Sequence, residues 1–118
     1  MRNAQVLVLS GADTGNVTGT AFDVNQIVSA SFTSVCGDAT AAGTVKLQVS
    51  NDLVSNGTRN NFTPTNWSDI PNATSTIASG VGPAIVIGNM CFSYIRAVYT
   101  RTSGGSTTIQ VLMNSLSI

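Results

Sequence analysis

The sequence predicts an all-β protein: a single antiparallel β-sandwich or jelly roll of about seven or eight short strands, in one domain spanning residues 1–118. Three observations lead to this prediction. No window of about eleven or more residues places apolar side chains at helical spacing, and glutamate, a good helix former, is absent. Apolar and polar residues alternate in many short stretches instead. Turn-forming residues separate these stretches at intervals of roughly 8–12 residues, as in sandwiches.

The first half of the chain contains three predicted strands. Residues 4–9 are mostly apolar, and we expect a distant strand to cover them, because an open apolar edge promotes aggregation. Residues 27–35 and 44–50 alternate, so that side chains such as Phe32 and Leu47 face a core while their neighbours face away from it.

The second half begins with an irregular segment, residues 51–66, which we interpret as a long surface loop with a small hairpin at 56–57. The strongest strand, at 91–101, is apolar on both faces, which is typical of a central position. Tyr94 and Tyr99 lie an odd number of residues apart in it and are predicted to face opposite sides. The predicted strands of this half are 67–70 (ended by Pro71), 74–78, 84–87, 91–101 and 107–113, the last two joined by a tight hairpin at 103–106.

The composition argues against several classes of function. Histidine is absent, which removes Ser-His-Asp and Cys-His catalysis and the usual imidazole-based metal sites. We therefore expect no enzyme, with no catalytic residues, no cofactor and no metal site. Five basic and five acidic residues leave no net charge, and the bases are scattered. This distribution predicts that neither nucleic acid nor a membrane surface is the partner, because both attract clustered basic side chains.

The surface chemistry points to an assembly. Charged residues make up 8% of the chain, against about 25% in an average globular protein. Ser, Thr, Asn and Gly together account for 51 of the 118 residues, so the polar surface has to come mainly from uncharged side chains. Low charge is normally a solubility problem. Such a surface suits a protein held in an assembly or one that lives outside the cell.

Two cysteines, Cys36 and Cys91, stand 55 residues apart, without the close spacing of a metal site. They either form one disulfide between strands or remain buried thiols, and the sequence leaves both possibilities open because geometry decides between them.

Three residues around the irregular segment are candidates for a contact surface. Arg59 and Phe62 lie within the predicted loop, where arginine and aromatic side chains often anchor interfaces. Trp67 is the only tryptophan of the chain. It either closes one end of the core, which its place in a short strand favours, or provides a stacking platform for a sugar.

Three segments carry a resemblance to known proteins: GTVKLQVSND at 43–52, NWSDI at 66–70 and YIRAVYTRTSGGSTTIQV at 94–111. Their order resembles small β-sandwich proteins associated with the virions of tailed bacteriophages, of the capsid decoration (cement) or head-fibre type. The resemblance extends over about residues 20–113. Similar runs also occur in discoidin-like carbohydrate-binding sandwiches.

The resemblance implies a non-enzymatic viral structural protein on the exterior of the virion, most simply a decoration protein that binds and stabilises the phage head. Its partners would be the major capsid protein or another virion protein, and it would act as a homo-oligomer. The N-terminal strand, with Val6 and Val8, would add to the sheet of a neighbour. The alternative is a glycan-binding sandwich module of a tail, fibre or cell-surface protein, in which Phe62 and Trp67 would stack on sugar rings.

Overall fold

A computed structural model describes residues 2–52 and 62–117, without the side chain of Arg2. These residues form nine β-strands and no helix, so the predicted all-β class is confirmed. No helix that is long and apolar enough to cross a membrane occurs in the part of the chain that the structure describes. The strands are β1 (Arg2–Ala12), β2 (Val17–Thr18), β3 (Phe22–Asp23), β4 (Ile27–Cys36), β5 (Ala42–Ser50), β6 (Ser68–Ile77), β7 (Ile85–Ile87), β8 (Tyr94–Ser103) and β9 (Thr108–Ser117).

The strands build two antiparallel sheets packed face to face, which confirms the sandwich. Sheet A has four strands in the order β1-β9-β4-β7. Sheet B has five, in the order β2-β8-β5-β6, with β3 also paired to β8. The first strand pairs with the last along its whole length, from Arg2 opposite Ser117 to Ala12 opposite Thr108, as the need to cover an apolar first strand predicts.

Alternation along the long strands determines which side chains enter the core. In β5, Val45 and Leu47 are fully buried, and in β9 Ile109 and Val111 are fully buried. The residues between them point away from the core, because successive side chains of a strand face opposite sides of a sheet. Phe32 of β4 lies in the same core cluster. The inner faces predicted for 27–35, 44–50 and 107–113 are therefore confirmed.

The sixth strand corrects one prediction. Pro71 does not end a strand at residue 70, because β6 continues from Ser68 to Ile77. The pairing with β5 shifts register between Lys46 and Gln48, opposite the segment around Pro71, and Asn72 there has a φ of 65°. Since β6 is an edge strand, a bulge at this point accommodates a proline that cannot donate a ladder hydrogen bond.

Two further differences concern short segments. The strands β2 and β3 have only two residues each, and no period can be recognised in so short a stretch. The hairpin predicted at 56–57 lies outside the described residues. The predicted turn between the last two strands is present, and Gly104 and Gly105 adopt φ values of 69° and 86° in it. This left-handed conformation favours glycine.

Candidate functional site

The outer face of sheet A is uncharged wherever the structure describes its side chains. Its register places Ser, Thr, Asn and Gln beside six aliphatic residues, with no Asp, Lys or Arg. Leu7, Val35 and Val86 are the large hydrophobic side chains exposed here, at 42%, 49% and 71%. The outward positions are Asn3, Gln5, Leu7, Ser10, Ala12, Ser29, Ser31, Thr33, Val35, Val86, Thr108, Gln110, Leu112, Asn114 and Leu116.

The relief of this neutral face is uneven. Leu7 of β1 stands directly opposite Leu112 of β9, at the middle of both strands, and Val35 of β4 lies diagonally across from Leu112, one outward position further along. These three side chains form a diagonal aliphatic strip. Towards the Ser117 end of the face lies a shallow depression of about 220 Å³, whose walls include Val86 and Leu116. The rest of the depression is lined by serines, asparagines and Ala30, whose short side chains leave room above the sheet.

The outer face of sheet B has the opposite character. Asp69, Gln48 and Arg96 stand side by side on β6, β5 and β8. Gln48 donates from Nε2 to Oδ1 of Asp69 over 2.8 Å, and Arg96 donates from Nε to Oε1 of Gln48 over 2.8 Å. The ammonium of Lys46 lies 3.3 Å from Oδ2 of Asp69. The hydrogen bond from Gln48, aided by Lys46, lowers the pKa of Asp69, whereas partial burial lowers the pKa of Arg96.

Trp67 lies on this charged face and not in the core, which corrects the interpretation as a core plug. The guanidinium carbon of Arg96 is 4.3 Å from the centroid of the Trp67 ring, within the range of a cation–π contact. The residue stands just before β6 and is half-buried. Because it precedes the strand, the alternation of the strand does not direct its side chain inwards.

Phe62 packs on the same outer face, with its ring centroid 5.9 Å from that of Tyr94. This cover explains why Tyr94 is only 2% exposed, although Tyr99 is the one that enters the core. The two tyrosines face opposite sides, as predicted. Phe62 and Trp67 each bury part of the ring against the domain itself. Arg59, the third candidate, lies outside the described residues.

Val6 and Val8 belong to the interior. Val8 is 2% exposed, and Val6 packs against the core cluster. Both side chains therefore face inwards, whereas β1 is an edge strand of sheet A, and its addition to the sheet of a neighbour, which the resemblance implies, stays a prediction. The large apolar side chain that β1 presents outwards is Leu7. A register shift between Leu7 and Leu9 changes the alternation of β1 at this point, so that Val8 and Leu9 are both buried.

Asp52 anchors the segment that returns from the loop. Its carboxylate accepts hydrogen bonds from the backbone amides of Thr65 (2.8 Å) and Asn66 (3.0 Å), and from the side-chain amide of Asn66 (3.0 Å). These hydrogen bonds lower the pKa of Asp52, and the bond from the backbone of Asn66 has the largest effect. Beside this anchor lies an open cleft of about 450 Å³, with Asp69 at its rim and Phe92 in its wall.

One end of the sandwich contains buried polar groups. Asp13 is fully buried and accepts a hydrogen bond from the amide of Thr107 (2.9 Å), and its second carboxylate oxygen has no hydrogen-bond partner among the described residues. The same holds for the hydroxyl of Tyr99, whose pKa is raised chiefly by burial. The thiol of Cys36 is half-buried, and burial raises its pKa. Cys91 is exposed, and the two cysteines are not bonded to each other.

The described residues contain no group of three or more His, Cys, Asp or Glu side chains that could hold a metal ion. Their carboxylates are instead engaged at turns and strand ends. Asp38, for example, accepts hydrogen bonds from Ser106 and Thr40, which lower its pKa, and thereby ties the turn before β5 to the β8–β9 hairpin.

The sequence shows a signal for the neutral face that the prediction of contact residues did not use. In 27–35, the outward set begins with serines and threonine but ends with Val35, an apolar residue at a polar position. An exposed aliphatic residue on an otherwise alternating strand is a reason to suspect a contact surface when several lie together.

The geometry defines an all-β sandwich protein with one neutral and one charged sheet face. Neither protein-family models nor curated protein sequences give a match to the chain. Among solved structures, the chain is similar to the crystal structure of YomS, a protein derived from the SPBc2 prophage. The likeness covers 98% of this chain and 94% of that one, with a TM-score of 0.57 and 9% sequence identity. At this identity the likeness establishes a common fold.

Proposed function

We propose that the chain is a non-enzymatic structural protein of a bacteriophage virion, which decorates the outside of the head and binds the major capsid protein. The observation that carries the proposal is the neutral outer face of sheet A. A face with Leu7, Val35 and Val86 exposed and no charged side chain is expensive to leave in water and favourable to cover. It supports a role within an assembly.

The comparison with solved structures supports the choice of assembly. The likeness in fold extends over nearly the whole chain to a protein of prophage origin. A cement protein works by adding buried area at the junctions between capsid subunits, and many copies together stabilise the shell. A rigid sandwich with a broad face suits this task, because little conformational entropy is lost when a preformed sheet is covered.

Electron cryo-microscopy of the particle that contains this chain tests the proposal. We expect density for the sandwich at regular positions on the outside of the capsid lattice. Density only on a fibre or at the tail tip, or none on the particle, would overturn the decoration role. Catalytic turnover by the purified protein that is lost on substitution of one aspartate would overturn the non-enzymatic assignment.

A second candidate function, glycan binding, is favoured by the cleft beside Asp52. Its lining combines Asp69, Asn66 and Ser68, which can hydrogen-bond hydroxyl groups, with the apolar surface of Phe92 and Ile70. A glycan array tests it with the unchanged protein, Asp69→Ala, and Thr76→Ala on the exposed side of β6 as the control. Binding that only Asp69→Ala removes would favour this function. Absence of binding by the unchanged protein would exclude it for the glycans tested.

A further inference from the structure

We propose that a second copy of this chain covers the outer face of sheet A, in a two-fold dimer with the two faces packed against each other. This goes beyond the proposed function, because it assigns the neutral face to a second copy and makes the dimer the decorating unit. It rests on that proposal only for its place in a virion, because the argument for self-association comes from the surface itself.

The first argument is electrostatic. In a two-fold contact the same face meets itself, so any charge on that face is desolvated and has to find an opposite charge on the same face. The described outward positions of sheet A carry no charge, so a second copy meets neither penalty. The outer face of sheet B carries Lys46, Asp69 and Arg96, and stacking it on itself would desolvate all three. Of the two sheet faces, sheet A is therefore the one suited to a second copy.

The second argument is shape. Leu7 and Leu112 stand at the middle of β1 and β9, Val35 lies towards the Thr108 end of the face, and the depression beside Val86 lies towards the Ser117 end. A two-fold axis in the plane of the contact, running across the strands at the level of Leu112, places Val35 of each copy over the depression of the other and covers the whole face. Each depression is then filled by its partner's Val35, which is the self-complementarity that an isologous interface requires.

The third argument is area. The long strands β1, β9 and β4 have 11, 10 and 10 residues. With a strand spacing of about 4.8 Å and a rise of about 3.3 Å per residue, the face measures about 500 Å², so a dimer would bury about 1,000 Å². This is the lower end of specific interfaces, and it predicts an association that depends on concentration. In a virion the high local concentration of copies would favour it.

Sedimentation velocity of the purified chain tests the proposal over loading concentrations of about 1 to 200 µM. We expect a monomer–dimer equilibrium within this range. We also expect no weakening between low and high salt, because no charge pair contributes to the contact and only charge pairs are screened.

Two substitutions test the face directly. Val86→Lys and Val35→Lys should each raise the dissociation constant of the dimer by about tenfold or more, because each places two lysines without partners in the contact. Val81→Lys is the matched control. Val81 has the same type and the same 71% exposure as Val86 but lies in the turn after β6, outside sheet A. The dimer of the Val81→Lys variant should have the dissociation constant of the unchanged protein. Circular dichroism melting of all three variants verifies that each is folded.

Three outcomes would overturn the proposal: a monomer at every concentration, a dimer that dissociates as salt is raised, or a Val81→Lys protein that dissociates as strongly as Val86→Lys. None of these outcomes tests whether the protein binds the phage head. A monomer found on the capsid lattice would leave the decoration role standing, and a dimer absent from the capsid would leave self-association standing.

Discussion

Substitution of Gly105 by alanine tests how the β8–β9 hairpin is held against the end of β1. Gly105 has a φ of 86°, and a Cβ there would come within 2.5 Å of the carbonyl oxygen of Asp13 and 2.8 Å of its Oδ1. The left-handed conformation alone costs an alanine about 1–2 kcal/mol. The overlap is with backbone, so it can be relieved only by moving Asp13.

Moving Asp13 weakens the hydrogen bond that the amide of Thr107 donates to its fully buried carboxylate over 2.9 Å. An unsatisfied buried donor or acceptor costs about 1–3 kcal/mol. We therefore expect Gly105→Ala to lower the free energy of unfolding by about 3 kcal/mol and the melting temperature by about 10 °C. Gly88→Ala is the control, because a Cβ at Gly88 has no atom within 4 Å and its φ is not in the left-handed region. It should change the stability by less than about 1 kcal/mol.

The assay is equilibrium unfolding in urea, followed by the fluorescence of Trp67, with the slope compared between variants. Trp67 reports on unfolding because its half-buried ring rests on Arg96 in the folded state. A loss of less than about 1 kcal/mol for Gly105→Ala, or equal losses for Gly105→Ala and Gly88→Ala, would refute the packing described for this hairpin.

Three other predictions concern burial, thiol reactivity and pH. Leu47→Ala should lower the free energy of unfolding by about 3–5 kcal/mol because its side chain is fully buried, whereas Leu112→Ala, on the outer face, should lower that of the monomer by less than about 1.5 kcal/mol. Equal losses in urea unfolding would contradict the orientation of the strands. Cys91 should react with a chromogenic disulfide reagent much faster than Cys36, which is half-buried and has a raised pKa, and equal rates in the folded protein would contradict this difference. The hydrogen bonds that lower the pKa of Asp52 stabilise the fold at pH values above the unfolded-state pKa, and this stabilisation disappears as the pH falls through the lower folded-state pKa. Thermal melts from about pH 6 to pH 2 should therefore show a smaller fall in melting temperature for Asp52→Asn than for the unchanged protein. Identical falls would refute the role of these hydrogen bonds.

Alternation predicted the parts of the fold in which one face of a strand is buried. The stretches around Phe32, Leu47 and Val111 were assigned to the right faces, because a period of two and the need to bury aliphatic side chains leave one orientation. Local rules failed where the partner strand decides. Pro71 reads as a stop signal, yet on an edge strand a bulge accommodates it.

Contacts between distant strands also determine where the contact residues proposed from the sequence lie. Val6 and Val8 were proposed as contact residues because the N-terminal strand would add to a neighbour's sheet; the structure turns their side chains inwards and leaves β1 at the edge of sheet A, so strand addition stays a prediction. Trp67, for which a place in the core was favoured over an exposed stacking platform, stacks on Arg96. This contact joins residues 29 positions apart in the chain, and no local pattern reports it.

By itself, the sequence determined the all-β class, the inward faces of the long strands and the scarcity of charge, because these depend on periodicity and composition. It also shows that 27–36, 85–87 and 108–117 contain no charged residue. Only the tertiary structure decided that these segments lie side by side with β1 in one sheet, while Lys46, Asp69 and Arg96 meet on the other. Strand order is set by long-range pairing between segments distant in the chain, and a surface exists only once those pairs have formed.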